Sequence, residues 1–287
     1  MALVWVDPKS EDRPLRHWEL IVDSPSQLAR RLAERVFDLE LTGLPCHVVL
    51  SASDYSLQLV DAPDVPQADL SSAVKFQIRD SLTVPLADAE VQVFAVPESA
   101  YRQQGPMLYA AAAHRGRILE IRDSVLESDL DLKTIDIRET AMRNLATRLA
   151  DDQNGLACLD VREGQARLLL TKSGEIFLCR QLTTQIDQSQ MAGPAWTDIF
   201  QRFLVEIQRS FDYFENQMGQ GQILKLLLAP VPGVTNQLLE QLNLNLLAEG
   251  SIMDLNQLWK TGAILSAREQ HDCLFASAAV LSGFKSS

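Results

Sequence analysis

Two apolar runs end in a carboxylate, Val4-Trp5-Val6-Asp7 and Ala157-Cys158-Leu159-Asp160. Carboxylates at strand ends suit a hydrated magnesium ion held above a nucleotide, although an Asp in that place also serves simply to turn the chain. The loops that follow decide between the two, because a phosphate needs close approach by backbone N–H groups, which glycine and small hydroxyl residues allow. Pro8-Lys9-Ser10-Glu11-Asp12 follow Asp7, and Val161-Arg162-Glu163-Gly164-Gln165 follow Asp160. Proline and acidic side chains make a poor cradle for a polyphosphate, so turning the chain is the expected role of both aspartates.

The other constellations that could carry chemistry are incomplete. Gly219-Gln220-Gly221 lacks the third glycine of a dinucleotide turn and precedes a strand-like run rather than a helix, so it reads as a loop. Neither Gly-x-x-x-x-Gly-Lys-Ser/Thr nor Gly-x-Ser-x-Gly occurs, which removes the sequence warrant for a Walker-type NTPase and for an α/β-hydrolase. A structural zinc site needs four ligands, usually as two spaced pairs. Cys46-His47 and His271-x-Cys273 would have to meet across the fold to supply them, and His17 and His114 stand alone. Core or surface roles are expected for these side chains, and no metal and no catalytic residue is assigned.

With 287 residues the chain has length for one large domain or two of ordinary size. Hydrophobic residues make up 46% and charged residues 22%, a balance that excludes a disordered or low-complexity chain. A formal net charge of −12 and a pI of about 4.8 argue against nucleic acid as a partner, since a grip on phosphates needs excess Lys and Arg. Charged residues from Asp7 to Arg13 break any signal-peptide pattern, and the apolar runs Met107 to Ala113 and Ile223 to Ala229 are too short to span a membrane. Cys46, Cys158, Cys179 and Cys273 are scattered singly, as expected of reduced thiols in a cytoplasmic protein.

The elements that must position these residues follow from periodicity. Leu3 to Val6 and Trp18 to Val22 read as strands, and Ser24, Pro25 and Gln27 open a helix whose apolar face is Leu28, Leu32, Val36 and Leu39, stopped by Gly43 and Pro45. His47 to Ser51 and Ser56 to Val60 read as strands around the turn at Ser53-Asp54, and Leu70, Val74, Ile78 and Leu82 mark a helix ending before Pro85. Strands at Val91 to Val96, Met107 to Ala113 and Leu132 to Ile137 alternate with helices at Ile118 to Leu126 and Ala141 to Ala150. From Leu156 to Leu182 the turns Glu163-Gly164 and Ser173-Gly174 cut a three-strand meander. A long amphipathic helix with Trp196, Phe200, Phe203, Ile207, Phe211 and Phe214 on its stripe comes next. It is followed by a strand at Ile223 to Leu228, a helix at Val234 to Leu242, a strand-like stretch at Leu246 to Met253 and a closing helix at Leu274 to Leu281. The class is α/β, and the matching order of elements suggests two halves on one plan, at residues 1–152 and 153–287.

One stretch carries a specific likeness. Ala73-Val74-Lys75-Phe76-Gln77-Ile78-Arg79-Asp80-Ser81-Leu82-Thr83-Val84-Pro85-Leu86-Ala87-Asp88-Ala89-Glu90 resembles the helix-then-Pro-Leu-x-acidic segment of PilM-type pilus assembly proteins, and Glu206-Ile207-Gln208-Arg209-Ser210-Phe211-Asp212-Tyr213-Phe214 resembles that family's Glu-Ile-x-Arg-Ser-Leu-Asp-Phe helix. Ala111 to Arg115 and Thr134 to Glu139 fall between them in the right order, and the likeness runs from about Ser51 onward, closest to the version found in MSHA-type pilus biogenesis.

The resemblance implies an actin-like fold similar to that of the division protein FtsA, a duplicated RNase H-like architecture, with a small inserted subdomain at about 52–115. It implies a cytoplasmic adaptor that docks the short tail of a bitopic inner-membrane partner of the PilN type, touching the membrane only through partners, with self-association left open. Lys75, Ile78, Arg79, Val84 and Leu86 are the peptide-contact candidates, set against the plain reading that Val74, Ile78 and Leu82 only pack the insert onto its own sheet. Typical members bind ATP. Here Asp7, Asp160 and Gly233 mark a relic of that site: the Asp-Ile-Gly turns are missing, and a Gly-Gly-Gly adenosine turn is replaced by Ala229-Pro230-Val231-Pro232-Gly233. The expectation is a non-enzymatic scaffold without cofactor. The competing class is an ATP-binding switch or ATPase with Asp7 and Asp160 on magnesium. Secretion assembly proteins of the GspL kind share the fold but continue into a membrane span, which does not occur before Ser287.

Overall fold

The computed structural model of the chain describes residues 1–7, 15–20, 25–101, 105–162, 164–186, 188–259 and 264–282. It opens with the antiparallel pair β1 (Ala2–Val6) and β2 (Leu15–Leu20), then helix α1 (Pro25–Asp38) and strand β3 (Pro45–Val49). The cap expected at Ser24, like the end of the strand read to Val22, lies outside the described residues. After β4 (Tyr55–Asp61), α2 (Leu70–Gln77), β5 (Ala89–Ala95) and β6 (Met107–His114), helix α3 (Arg115–Glu127) leads to β7 (Asp131–Asp136) and α4 (Arg138–Leu149).

The strands on either side of Ser53-Asp54 do not pair with each other. β3 pairs in parallel with β7, more than eighty residues along, whereas β4 joins β6 and β5 in an antiparallel sheet of order β4-β6-β5. Everything between β3 and α3 is therefore an excursion with its own small core, built from Val74 of α2 and Ile78 just past its end against Ala89, Val91, Leu108, Ala110 and Ala112. Helix α2 is also shorter than its spacing predicts: it ends at Gln77, and a single 3-10 turn, Arg79–Ser81, carries the chain to Leu82.

The second part runs β8 (Leu156–Arg162), β9 (Gln165–Lys172), β10 (Glu175–Leu182), α5 (Trp196–Asp212), β11 (Lys225–Leu228), α6 (Thr235–Asn245), β12 (Glu249–Ile252), the short α7 (Leu255–Leu258) and α8 (Ala267–Leu281). Here the predicted meander forms, and β11 and β12 add in parallel beside β8 to give one five-stranded sheet of order β10-β9-β8-β11-β12. Helix α5 continues past Asp212 into a π-helical turn, Tyr213–Gln217, that keeps Phe214 buried. Helix α8 begins seven residues before the apolar pattern that announces it, at a capping box in which Ser266 and Glu269 bond each other's backbone N–H.

Alternation sorts the side chains of β1 and β3. Leu3, Trp5, Cys46 and Val48 join a core with Leu32 and Val36 of α1 and Val125 of α3, while Val4, Val6 and Val49 point the other way into the main core. That second side is covered by α8, which packs on β1, β2 and β3, and α8 lies against α4, which in turn packs on β9 and β10. Each part of the chain thus lends its last helix to the other.

Candidate functional site

The two strand-end aspartates have different surroundings. Asp7, just after β1, accepts a bond from Arg16 Nη2 on β2 at 3.3 Å. The segment 8–14 that would decide its fitness for phosphate lies outside the described residues, as does Glu163 after β8. Asp160 is 2% exposed and accepts from Arg162 Nε at 2.9 Å. Arg162 Nη1 donates in turn to the carbonyl of His271 on α8 at 2.7 Å. A carboxylate buried against a guanidinium is already neutralised, which weakens its draw on a metal ion.

Asp160 belongs to a polar cluster where the parts of the chain meet. Arg167, its register partner on β9, donates to Glu139 Oε1 at the start of α4, and the hydroxyl of Tyr55 from β4 donates to Glu139 Oε2 at 2.5 Å. Glu139 is buried, and its two oxygens are spent on those donors. Arg138 and Arg162 both lie over the Phe275 ring of α8, with guanidinium carbons 5.0 and 4.8 Å from its centroid. Burial, reinforced by the Glu139 carboxylate, pushes the Tyr55 hydroxyl far above its ordinary pKa, so it stays a donor. Burial first, and then the charge of Arg162, lowers the His271 pKa. Its imidazole is therefore neutral near pH 7, with Nδ1 bonded to the Pro230 carbonyl at 2.7 Å.

Gly233 is exposed with φ +81° in the loop from β11 to α6, a loop clasped by Thr235, whose hydroxyl accepts from Val231 N and donates to Val231 O. It lines a cavity of about 990 Å³ between α6, β12 and the start of α8, together with Asn236, Asp254, Asn256 and Gln270. The polar groups of that wall are already engaged: Asp254 bonds Asn256, and Gln270 holds Leu255 N and Leu265 O. The structure therefore brings Asp160 into the cluster, keeps Asp7 bonded within its own hairpin, and puts Gly233 at a separate cavity. Among the described residues no group of three or more His, Cys, Asp or Glu side chains is placed to hold a metal. Cys158 and Cys273 are buried, Cys46 and Cys179 half-buried, and all four are free thiols.

The peptide-contact candidates divide. Ile78 is 4% exposed in the core of the inserted sheet, and Lys75 Nζ donates to the Ala89 carbonyl at 2.6 Å, tying α2 to β5. Ile78 thus packs the insert onto its own sheet, the plain reading set against its role as a contact, and Lys75 is tied within the excursion. Arg79 is exposed beside Asp80, and Val84 and Leu86 are half-buried. Phe76, in the same motif, is 63% exposed and lies off the stripe of Leu70, Val74 and Ile78. The second motif is structural: Glu206 accepts from the N–H and hydroxyl groups of Thr183 and Thr184, and Ser210 accepts from Arg180, so α5 clasps the end of β10.

No family model and no curated protein matches the sequence. Among solved structures, one described as a PilM-PilN type IV pilus biogenesis complex has a TM-score of 0.70 at 17% identity, over 99% of this chain and 96% of that one. A Bacteroides thetaiotaomicron protein with an actin-like ATPase fold and unknown function gives 0.49 at 11% identity, over 93% and 86%. The cytoplasmic domain of EpsL, an inner-membrane component of the type II secretion system of Vibrio cholerae, gives 0.47 at 13% identity, over 97% and 94%. The first likeness extends over both parts of the chain and the excursion between β3 and α3. The fold is actin-like α/β, as the resemblance implied. No described helix is long and apolar enough to cross a membrane.

Proposed function

We propose that the chain is a non-enzymatic scaffold of an inner-membrane type IV pilus assembly complex, in the manner of the MSHA-type version called MshI. In this reading it docks the short cytoplasmic peptide of a PilN-type membrane partner and sits beneath the membrane through that partner. The observation that carries the proposal is the agreement in fold, over almost the whole length, with a protein solved as part of a PilM-PilN complex. The non-enzymatic reading rests on the polar cluster: Asp160 is paired with Arg162, and Glu139 with Arg167 and Tyr55, so both buried carboxylates of that cluster are already engaged. The docking face runs over Phe76 and Arg79 to Val84 and Leu86, where one exposed aromatic and one exposed cation flank half-buried aliphatic side chains.

Isothermal titration of the full chain with a synthetic peptide carrying the cytoplasmic residues of a PilN-type protein from the same organism tests the reading. Micromolar binding is expected, weakened by Arg79→Glu and by Phe76→Ala; no binding, or binding indifferent to both changes, overturns the docking role. Micromolar binding of ATP with magnesium, followed by hydrolysis, overturns the non-enzymatic role alone.

A further inference from the structure

The outer face of α5 carries its charges in two blocks. Arg202 and Arg209 stand exposed along the helix with exposed Val205 between them, and Asp212 and Glu215 stand exposed at its end and in the π-helical turn beyond. None of these four charged side chains has a hydrogen-bond or ion-pair partner among the described residues. Carboxylates at a helix C-terminus face the negative end of its dipole, so base first and acid last is the unfavourable order for a helix on its own. Beside the acidic end lies a groove of about 360 Å³, lined by Phe211, Asp212 and Glu215 and by Ile223, Leu246 and Leu247 from the chain before β11 and after α6. Leu247 is 83% exposed, and Leu224 and Leu244 close to it in sequence are exposed as well. Large apolar side chains gathered at a surface mark an interaction site. Because the charged lining of the groove is acidic, its occupant must bring cations along with an aliphatic side chain.

We infer that the chain pairs with a second copy of itself through α5, the two helices antiparallel about a two-fold axis beside Gln208 and Arg209. Arg202, Val205, Arg209 and Asp212 follow one another at steps of three and four, as do Val205, Gln208, Asp212 and Glu215, so all lie on one broad exposed face. Arg202 and Glu215 are equally far from that axis in sequence, and so are Val205 and Asp212. Turning one copy end for end therefore brings Arg202 opposite the other's Glu215, and Val205 opposite Asp212 at the groove. Each contact occurs twice, as an isologous interface requires. The arrangement also sets each helix dipole against the opposite end of its neighbour. Two chains of net charge −12 repel at long range and one helix face is a small interface, so the dissociation constant should be about 10–100 µM. The inference goes beyond the docking role and does not rest on it.

The test is sedimentation equilibrium of the full chain over about 1–300 µM. A monomer–dimer equilibrium is expected, weakened about tenfold or more by Arg202→Glu and as much by Glu215→Arg, because each sets like charges face to face twice over. Both changes in one chain restore opposite charges across the axis, and should return the dissociation constant to within about threefold of the wild-type value. Leu247→Ser should weaken pairing without altering any charge. These side chains are exposed, so the variants should melt within about 2 °C of the wild type, which separates lost pairing from lost folding. The inference falls if the chain stays monomeric throughout that range, if association runs on past a dimer, if neither single charge change weakens it, or if the doubly changed chain pairs as poorly as the single ones. Arg79→Glu, on the proposed peptide face, should leave pairing as it is, so the two readings fail separately.

Discussion

The two sheets that should mirror each other are built unequally. In the second part of the chain β8 sits between β9 and β11, with ladder hydrogen bonds on both sides, and its residues from Leu156 to Val161 are buried. In the first part β1 bonds only β2, and β3 bonds only β7, with no ladder between the pairs among the described residues. The first part is held by helices instead, with α1 and α3 on one side and α8 on the other. The same plan can be executed as a continuous sheet or as two ribbons between helical layers, and an excursion as large as the one between β3 and α3 is found beside the looser version.

That contrast predicts unequal costs for equal damage. Leu159→Ala in β8 removes a fully buried side chain from a sheet that cannot collapse around the gap, and should cost about 4–5 kcal/mol. Leu32→Ala in α1, buried beneath the ribbons, should cost only about 2 kcal/mol. Urea unfolding of the two variants checks this, and equal losses would erase the contrast.

Two glycines sharpen it further. Gly155 has φ +99°, and a Cβ there would lie 2.9 Å from Ile223 Cδ1 and 3.1 Å from Phe214 Cε1, so Gly155→Ala meets both backbone strain and the core, for about 3 kcal/mol. Gly43 has φ +74° with nothing within 4 Å of a Cβ, and Gly43→Ala should cost about 1 kcal/mol from the backbone alone.

The smallest effect is electrostatic. Burial raises the Glu206 pKa, but the bonds from Thr184 and Thr183 outweigh it and hold the carboxyl below the ordinary range. In Glu19 the side-chain bond from Arg35 does the same. A depressed carboxyl pKa contributes stability that is present above the unfolded value, about 4.3, and is lost as pH falls through the folded one. Unfolding midpoints should therefore drop below about pH 4.5. Added salt should erode the Glu19 contribution, an ion pair, while sparing that of Glu206, whose donors are neutral. Acid titrations of Glu19→Gln and Glu206→Gln at low and high salt separate the two.

What could be read in advance follows from the range of the forces involved. The meander was legible because Ser173-Gly174 is a local turn, and α5 because its stripe of Phe residues is local. The pairing of β3 with β7 was not, since nothing near either strand records a partner beyond the excursion. The first turns of α8 were hidden by Arg268-Glu269-Gln270-His271-Asp272, a polar run with no apolar period, although Ser266 and Glu269 carried the cap signature. Of the site, Asp160 was visible as a strand end, whereas the role of Arg162 as its partner was not. Tyr55, Glu139, Arg167 and Phe275 come from four separate elements, and only the fold gathers them.

The exchange of end helices bears on how the molecule is made. The inner side of β1, β2 and β3 stays uncovered until residues 267–281 have left the ribosome, so the earliest strands to be synthesised are among the last to be sealed. A nascent chain stalled anywhere short of α8 presents those strands to chaperones and proteases, and a finished one covers them with α8.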